Sequence, residues 1–367
     1  MNHSILLTKL EHYGVRGNAL KLIQSYLSNR KHHIQGANIK SSLNSIISGV
    51  YQSSIIGPLF LLIFINDLPK SNTMKSILFA DDRVLVQTDN NLGKLQNSFN
   101  QEMTKVMDWL TANKLSLNIS KTKYMLITSI HVSTESFVIN VNSNRIETTL
   151  TYKYLGVIAD ENLTWIEHCK QLCSTISKYV GVMHQVKHYV NNQALRMLYH
   201  SLINSRAQYG IIAWGRAASR HLQPISVVSN HATRCLNTDE LLTNKVTTIY
   251  KMQKILQLKD IYNLEVRKFK HKYTTSQLPA TFNNYFELIT DVHSYNTRQI
   301  KTRQFALPNA RSNSGAKMLK HSALEILSKI PPEIKNKTCL ALFLEEYRNM
   351  YYSATRTIFY VYIYCCT

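Results

Sequence analysis

The sequence predicts an α+β fold over about its first 150 residues, followed by a mostly helical chain. Three observations carry that prediction. Two short β-type runs, Ile77–Ala80 and Val84–Thr88, bracket Asp81, Asp82 and Arg83, the pattern of an antiparallel hairpin with acids at its tip. Leu95, Phe99, Met103, Val106 and Leu110 recur at helical spacing and predict a long amphipathic helix ending near Asn113 and Lys114. Beyond Trp165 the pattern turns helical, over Ile166–Tyr189 and again over Asn192–Leu202.

Taken in order, Ser4 can cap a first short helix whose apolar stripe is Ile5, Leu6 and Leu10 and which Gly14 stops. A second helix is predicted from about Ala19 to Leu27, with Leu20, Ile23 and Leu27 on one side. His33–Gln35 and Ser45–Val50 read as strands, with Gly36 at a turn between them. Leu59–Leu68 is apolar nearly all round, so a buried helix fits. Pro58 suits its first turn, where a missing N–H costs nothing, and Pro69 follows its end. Tyr124–Thr128, Phe137–Asn140 and Tyr152–Leu155 read as further strands. A stretch over 294–314, rich in Asn, Ser, Thr and Arg, reads as a linker, and Thr357–Cys366 as an edge strand or an out-of-context tail.

The chain has 367 residues, 44% hydrophobic and 18% charged, which supports real cores and argues against global disorder. Its formal net charge is +21, split as +6 over residues 1–150 and +15 over 151–367. Such a balance favours polyanionic partners, because Lys and Arg that neutralise phosphates release condensed counterions. A solvated basic surface is the other reading of the same numbers. Six cysteines, at 169, 173, 235, 339, 365 and 366, form no CxxC pair and no zinc-finger spacing, so reduced thiols in the cytosol or nucleus are expected. No secretory signal is visible, and the apolar run Ile55–Ile65 is too short to span a bilayer, so no membrane partner is expected.

Asp81-Asp82 is the sharpest chemical feature. Nucleotidyl transfer needs two divalent metals held by carboxylates that converge from different strands, one activating the attacking hydroxyl and one neutralising the triphosphate. An acid pair at a turn is, by itself, the ordinary behaviour of Asp. Its surroundings add more. Phe79-Ala80-Asp81-Asp82 resembles the Phe/Tyr-Ala-Asp-Asp box of reverse transcriptases. Upstream, the run from Gly49 through Gln52 to Leu59, then Phe64-Ile65-Asn66-Asp67-Leu68-Pro69, resembles that family's template- and nucleotide-positioning loop and the helix after it. Downstream, Trp109, Asn113 to Asn118 and Lys121-Thr122-Lys123 resemble the next block. Tyr154-Leu155-Gly156-Val157 with Leu163-Thr164-Trp165 resembles the primer grip and the start of the thumb. Lys187 to Val190, Leu198 to Leu202, Tyr209, Trp214-Gly215 and His293 to Arg298 are similar to the C-terminal region of jockey-type elements, which places the resemblance with LINE-type, non-LTR retrotransposons.

The resemblance implies a right-hand polymerase palm remnant at 1–150, a helical thumb at 151–235 and a basic C-terminal region at 236–367. It implies RNA-directed DNA synthesis from a 3′ hydroxyl with Mg²⁺, on an RNA template and a DNA primer. Asp81 and Asp82 would be metal ligands and catalytic, and Gln52 would position template or incoming nucleotide. Phe79 and the primer-grip residues Leu155 and Gly156 would shape the site around the primer terminus. Lys121 could protonate or neutralise the leaving pyrophosphate, or be a solvated lysine after a turn.

Three departures from the family pattern bear on this. Arg83 stands where the box commonly has Thr and puts a cation beside the metal site. Tyr51-Gln52-Ser53 stands for Pro-Gln-Gly, and Ser53 lacks the backbone freedom of glycine. Met1-Asn2-His3-Ser4-Ile5-Leu6 resembles a stretch that typically follows the family's Ala-Phe-Asp segment, so an N-terminally truncated, catalytically incomplete enzyme is expected, with a non-catalytic nucleic-acid-binding remnant as the alternative. Glu11 cannot substitute for the first aspartate from a predicted helix. His184 and His188, at i and i+4, could face a metal but lack further ligands. Cys169 and Cys173 read as a small buried pair. Arg298–Lys320, basic and without an acid, could grip RNA or be a solvated linker.

Overall fold

Asn2 caps the first helix, α1 (His3–His12), by accepting the Ile5 N–H at 3.2 Å. Ser4, the expected cap, lies inside the helix and donates to Asn2 Oδ1. Two good capping residues compete here, and the earlier one wins because it lets the helix begin before Ile5. The computed structural model describes residues 1–36, 39–50, 54–128, 137–141, 144–236, 245–289, 305–309, 315 and 317–328. The chain divides into two units, Met1–Leu150 and Thr151–Thr367. The described residues combine helices with small, mostly antiparallel two-stranded sheets, an α+β arrangement.

In the first unit, α1, α2 (Gly17–Leu27) and α3 (Gly57–Ile65) share a core of Leu6, Leu10, Leu27, Phe60, Phe64 and Ile65. Lys9 ties α1 to the end of α3. Its ammonium donates to the Phe64 carbonyl at 2.7 Å and to Asp67 Oδ1 at 2.8 Å, and it lies over the rings of Phe64 and Trp109. The apolar run around α3 is buried on one side alone: Leu59 and Leu62 are exposed. Pro69 falls in a 3-10 turn, Leu68–Lys70. The strands between α2 and α3 are two-residue ladders. β1 (Lys31–His32) pairs with β4 (Asn44–Ser45), and β2 (Gln35–Gly36) with β3 (Ile39–Lys40). Gly36 is thus a strand residue rather than a turn. All four strands are solvent-exposed, and with no apolar face to bury they stay short.

The hairpin β5 (Lys75–Phe79) and β6 (Asp82–Val86) is followed by α4 (Leu92–Ala112). Asn91 caps α4 through the Lys94 N–H at 3.0 Å, and the helix ends at Asn113 with Lys114 at φ +53°, as its periodicity predicts. Met103, Val106 and Leu110 of α4 form the unit's second core with Leu68, Met74, Phe137, Ile139, Val141 and Ile146. β7 (Lys123–Tyr124) pairs in parallel with β10 (Glu147–Thr148), and β8 (Asn140–Val141) antiparallel with β9 (Asn144–Arg145).

The second unit begins with the hairpin β11 (Thr151–Tyr154) and β12 (Val157–Asp160). The Asp160 carboxylate then accepts the N–H groups of Asn162, Thr164 and Trp165, which fixes the turn into α5 (Ile166–Val186). Next come α6 (Asn192–Leu198), a π-helical segment Tyr199–Asn204, α7 (Ser205–Gln208), α8 (Ile211–Trp214) and α9 (Ser219–Cys235). After these follow α10 (Val246–Met252), α11 (Leu258–Thr274) and a helix at Leu319–Ser328. One core runs from Cys169 to Ile326, with Trp214, Tyr199, Ile176, Met183 and Leu195 among its fully buried side chains. Residues on both sides of position 235 belong to it. Most of the expected linker (294–304 and 310–314) and the apolar end Thr357–Cys366 lie outside the described residues.

Candidate active site

The β5–β6 ladder pairs Lys75 with Val86, Ile77 with Val84, Leu78 with Arg83 and Phe79 with Asp82. The turn is therefore two residues, Ala80 and Asp81. Asp82 and Arg83, expected in the loop, are the first residues of β6, because so short a turn extends the pairing right up to the acids. Ala80 has φ +51°, the left-handed region that disfavours a Cβ, whereas Asp81 does not. This is the φ pattern of a turn with one inverted residue, where glycine is usual.

Strand alternation sorts the hairpin into two faces. Ser76, Leu78, Arg83 and Leu85 point one way, and Leu78 and Leu85 pack on the cores of the unit. Ile77, Phe79, Asp82 and Val84 point the other way, with Phe79 58% exposed. Asp81 and Asp82 are both exposed. Among the described residues neither carboxylate accepts a hydrogen bond or joins a salt bridge. The base of the hairpin is held instead. Glu102 Oε2 accepts the Thr73 N–H at 2.7 Å and its other oxygen pairs with Lys105. The Lys105 hydrogen bond and then the Thr73 N–H keep the Glu102 carboxyl below the usual carboxylate range.

Arg83 lies on the opposite face from Asp82. Desolvation lowers its pKa, and the Asp81 charge opposes that shift. Its Nε is buried with no hydrogen-bond partner among the described residues. The Arg83 cation thus lies on the strand face opposite Asp82 yet close enough to feel the charge of Asp81, one of the two acids of the box. Gln52, with Tyr51 and Ser53, lies outside the described residues. Lys121 is exposed in the turn after Asn118, which its N–H contacts at 3.2 Å; among the described residues it forms no salt bridge with either aspartate. Asp67 is held by Lys9.

Leu155 and Gly156 form the turn of β11–β12, with φ +45° and +83°. Both central residues are inverted, the type I′ pattern that matches strand twist. This turn is braced. The Tyr209 hydroxyl donates to the Leu155 carbonyl, Trp214 Nε1 donates to the Tyr209 carbonyl at 3.0 Å, and His168 Nδ1 accepts the Ile158 N–H at 3.3 Å while its ring lies 5.3 Å from that of Trp214. Burial pushes the His168 imidazole pKa down. Sequence reasoning gave Tyr209 and Trp214 no role beyond lineage and passed over His168.

His188 lies beyond the end of α5, so it does not share a helix face with His184. Cys169 is buried and Cys173 half-buried, both free thiols, and burial pushes the Cys169 thiol up to about 11. Among the described residues no group of three His, Cys, Asp or Glu side chains converges on a metal position, and no helix is long and apolar enough to cross a membrane. Two adjacent carboxylates are hard oxygen donors of the kind Mg²⁺ takes, which commonly binds through one or two carboxylates plus substrate phosphates.

Residues 1–159 match the family described as reverse transcriptase (RNA-dependent DNA polymerase). The probable RNA-directed DNA polymerase from transposon BS of Drosophila melanogaster is 27% identical over 68% of this chain and 28% of its own length. The RNA-directed DNA polymerases from mobile element jockey of Drosophila funebris and Drosophila melanogaster are 25% and 23% identical, over 57% and 58% of this chain and 24% of theirs. The chain thus spans about a quarter of the length of these relatives.

Proposed function

We propose that this chain, a member of the reverse transcriptase family of jockey-type non-LTR transposable elements, carries part of the palm of an RNA-directed DNA polymerase in residues 1–150. The thumb-like region would then lie at 151–235 and a basic nucleic-acid-binding region at 236–367. The observation that carries the reading is the Phe79-Ala80-Asp81-Asp82 box folded as a two-residue hairpin turn with both carboxylates exposed.

Asp81 and Asp82 hold divalent metal, with Phe79 beside them on the outward face of the hairpin. When bound, Mg²⁺ supplies activation of the primer hydroxyl and charge neutralisation on the triphosphate. Gln52 positions template or nucleotide, Lys121 donates toward the leaving pyrophosphate, and the Leu155–Gly156 turn supports the primer terminus. Neighbouring carboxylates on one hairpin offer one wall of a two-metal cage, and no third acid joins them among the described residues. We therefore expect the 367-residue chain by itself to bind primer–template without extending it. The second reading, a non-catalytic nucleic-acid-binding remnant, is favoured by the lack of a third acid beside Asp81 and Asp82 among the described residues.

Two assays on the full chain test this. Affinity for an RNA–DNA hybrid should fall steeply from low to physiological salt, by about 10³-fold or more if six or more phosphates are neutralised; a flat response would contradict the nucleic-acid reading. Primer extension on a homopolymer template with Mg²⁺ or Mn²⁺ should give no product. Product that disappears with Asp81→Ala, Asp82→Ala would show a complete polymerase site and overturn both the expectation of an incomplete site and the remnant reading.

A further inference from the structure

The β11–β12 turn is held from a point 54 residues downstream. The Tyr209 hydroxyl donates to the Leu155 carbonyl, yet the Tyr209 side chain is not part of the core: the residue is 56% exposed. Below it, Trp214 is fully buried and its Nε1 fixes the Tyr209 carbonyl, so the phenol is carried on a rigid base. His168 secures the next strand through the Ile158 N–H and packs against Trp214.

Two glycines make the approach possible. A Cβ on Gly156 would lie 3.2 Å from the Tyr209 ring, and a Cβ on Gly210 would lie 2.8 Å from Val157 Cγ2. Both have positive φ, +83° and +61°. The turn carbonyl faces solvent and water could satisfy it, so a phenol committed to it adds little to folding. What it adds is selection of one turn conformation out of several, the work of a group that presets a binding surface.

We propose that Tyr209 is a positioning residue for the primer terminus, acting through the Leu155–Gly156 turn that its hydroxyl clamps. The inference rests on the primer-terminus reading of that turn given above. Tyr209 does not itself touch the nucleic acid; it sets the backbone that does.

The test uses the full chain and its Tyr209→Phe variant, which removes one hydroxyl and leaves the ring. Affinity is measured for an RNA template carrying a DNA primer with a recessed 3′ end, for the same hybrid made blunt, and for single-stranded RNA. A fluorescent base analogue at the primer 3′ position reports its environment. Hydrogen exchange over residues 154–158 reports turn order without nucleic acid. The wild-type chain should prefer the recessed hybrid. Tyr209→Phe should lose about fivefold of that preference, as one hydrogen bond allows, with faster exchange at the turn and unchanged melting temperature and single-strand affinity. A wild-type chain blind to the recessed end would overturn the primer-terminus reading and this inference with it. A preference that survives Tyr209→Phe, with or without faster exchange, would overturn this inference alone.

Discussion

The hairpins β5–β6 and β11–β12 share one plan, antiparallel strands of four or five residues closed by a two-residue turn. Their tips are finished differently. At Leu155–Gly156 both residues are inverted, one is glycine, and Tyr209, Trp214 and His168 brace the turn from outside. At Ala80–Asp81 an alanine takes the inverted position, and the acids reach solvent with no hydrogen-bond partner among the described residues. A turn that presents backbone can be clamped by its own protein. On the proposed function, the Ala80–Asp81 turn presents carboxylates for metal and so would keep their oxygens free, and the base of the hairpin that carries it is anchored by Glu102 and by Leu78 and Leu85.

The largest expected effect comes from removing the brace. Trp214→Ala empties a fully buried site and should cost about 3–5 kcal/mol, read as a lowered melting temperature and accelerated hydrogen exchange at residues 151–160. If the β11–β12 exchange stayed at its wild-type rate, the brace would not be what orders that turn.

Glycine exchanges at the two tips should then have opposite signs. Gly156→Ala forces a Cβ into the left-handed region and against Tyr209, a loss of about 1–2 kcal/mol. Ala80→Gly relieves such a conformation and should be neutral or stabilising by up to about 1 kcal/mol. Denaturant midpoints of both variants moving the same way would remove the contrast.

A smaller effect concerns pH. Burial holds the folded His168 below its ordinary value of 6.5, so the unfolded chain takes up a proton that the folded chain refuses. The stability is fully present above 6.5 and is lost as pH falls from there toward the depressed folded value. A proton on Nδ1 would also meet the Ile158 N–H head on. His168→Gln should flatten this part of the melting-temperature profile below neutrality; an unchanged profile would mean that other groups carry it.

Much of this was legible in the sequence because it is local. The apolar runs around Asp81 gave the hairpin, and the spacing from Leu95 to Leu110 gave α4 to within a few residues. The errors are local competitions. Asn2 outbid Ser4 as a cap, and the low strand propensity of Asp hid the fact that pairing reaches Asp82. Arg83 was expected beside the acids; strand alternation, once the register is known, puts it on the face away from Asp82 while it still feels the charge of Asp81. The Tyr209 clamp had no local signature. Its partner lies 54 residues away, and the one hint was a pair of glycines, Gly156 and Gly210, whose shared reason for being small is visible in three dimensions.

Metal held by Asp81 and Asp82 at the open turn, as proposed above, can be read without turnover. Mn²⁺ is titrated into the full chain bound to a primer–template with a nucleoside triphosphate, and bound ion is followed by electron paramagnetic resonance, beside the Asp81→Ala, Asp82→Ala variant on the same hybrid. Bound Mn²⁺ is expected in the wild-type complex beyond what hybrid and triphosphate hold alone, with loss of that excess in the double variant and hybrid affinity unchanged. Equal Mn²⁺ binding by the two proteins would contradict the proposed metal site.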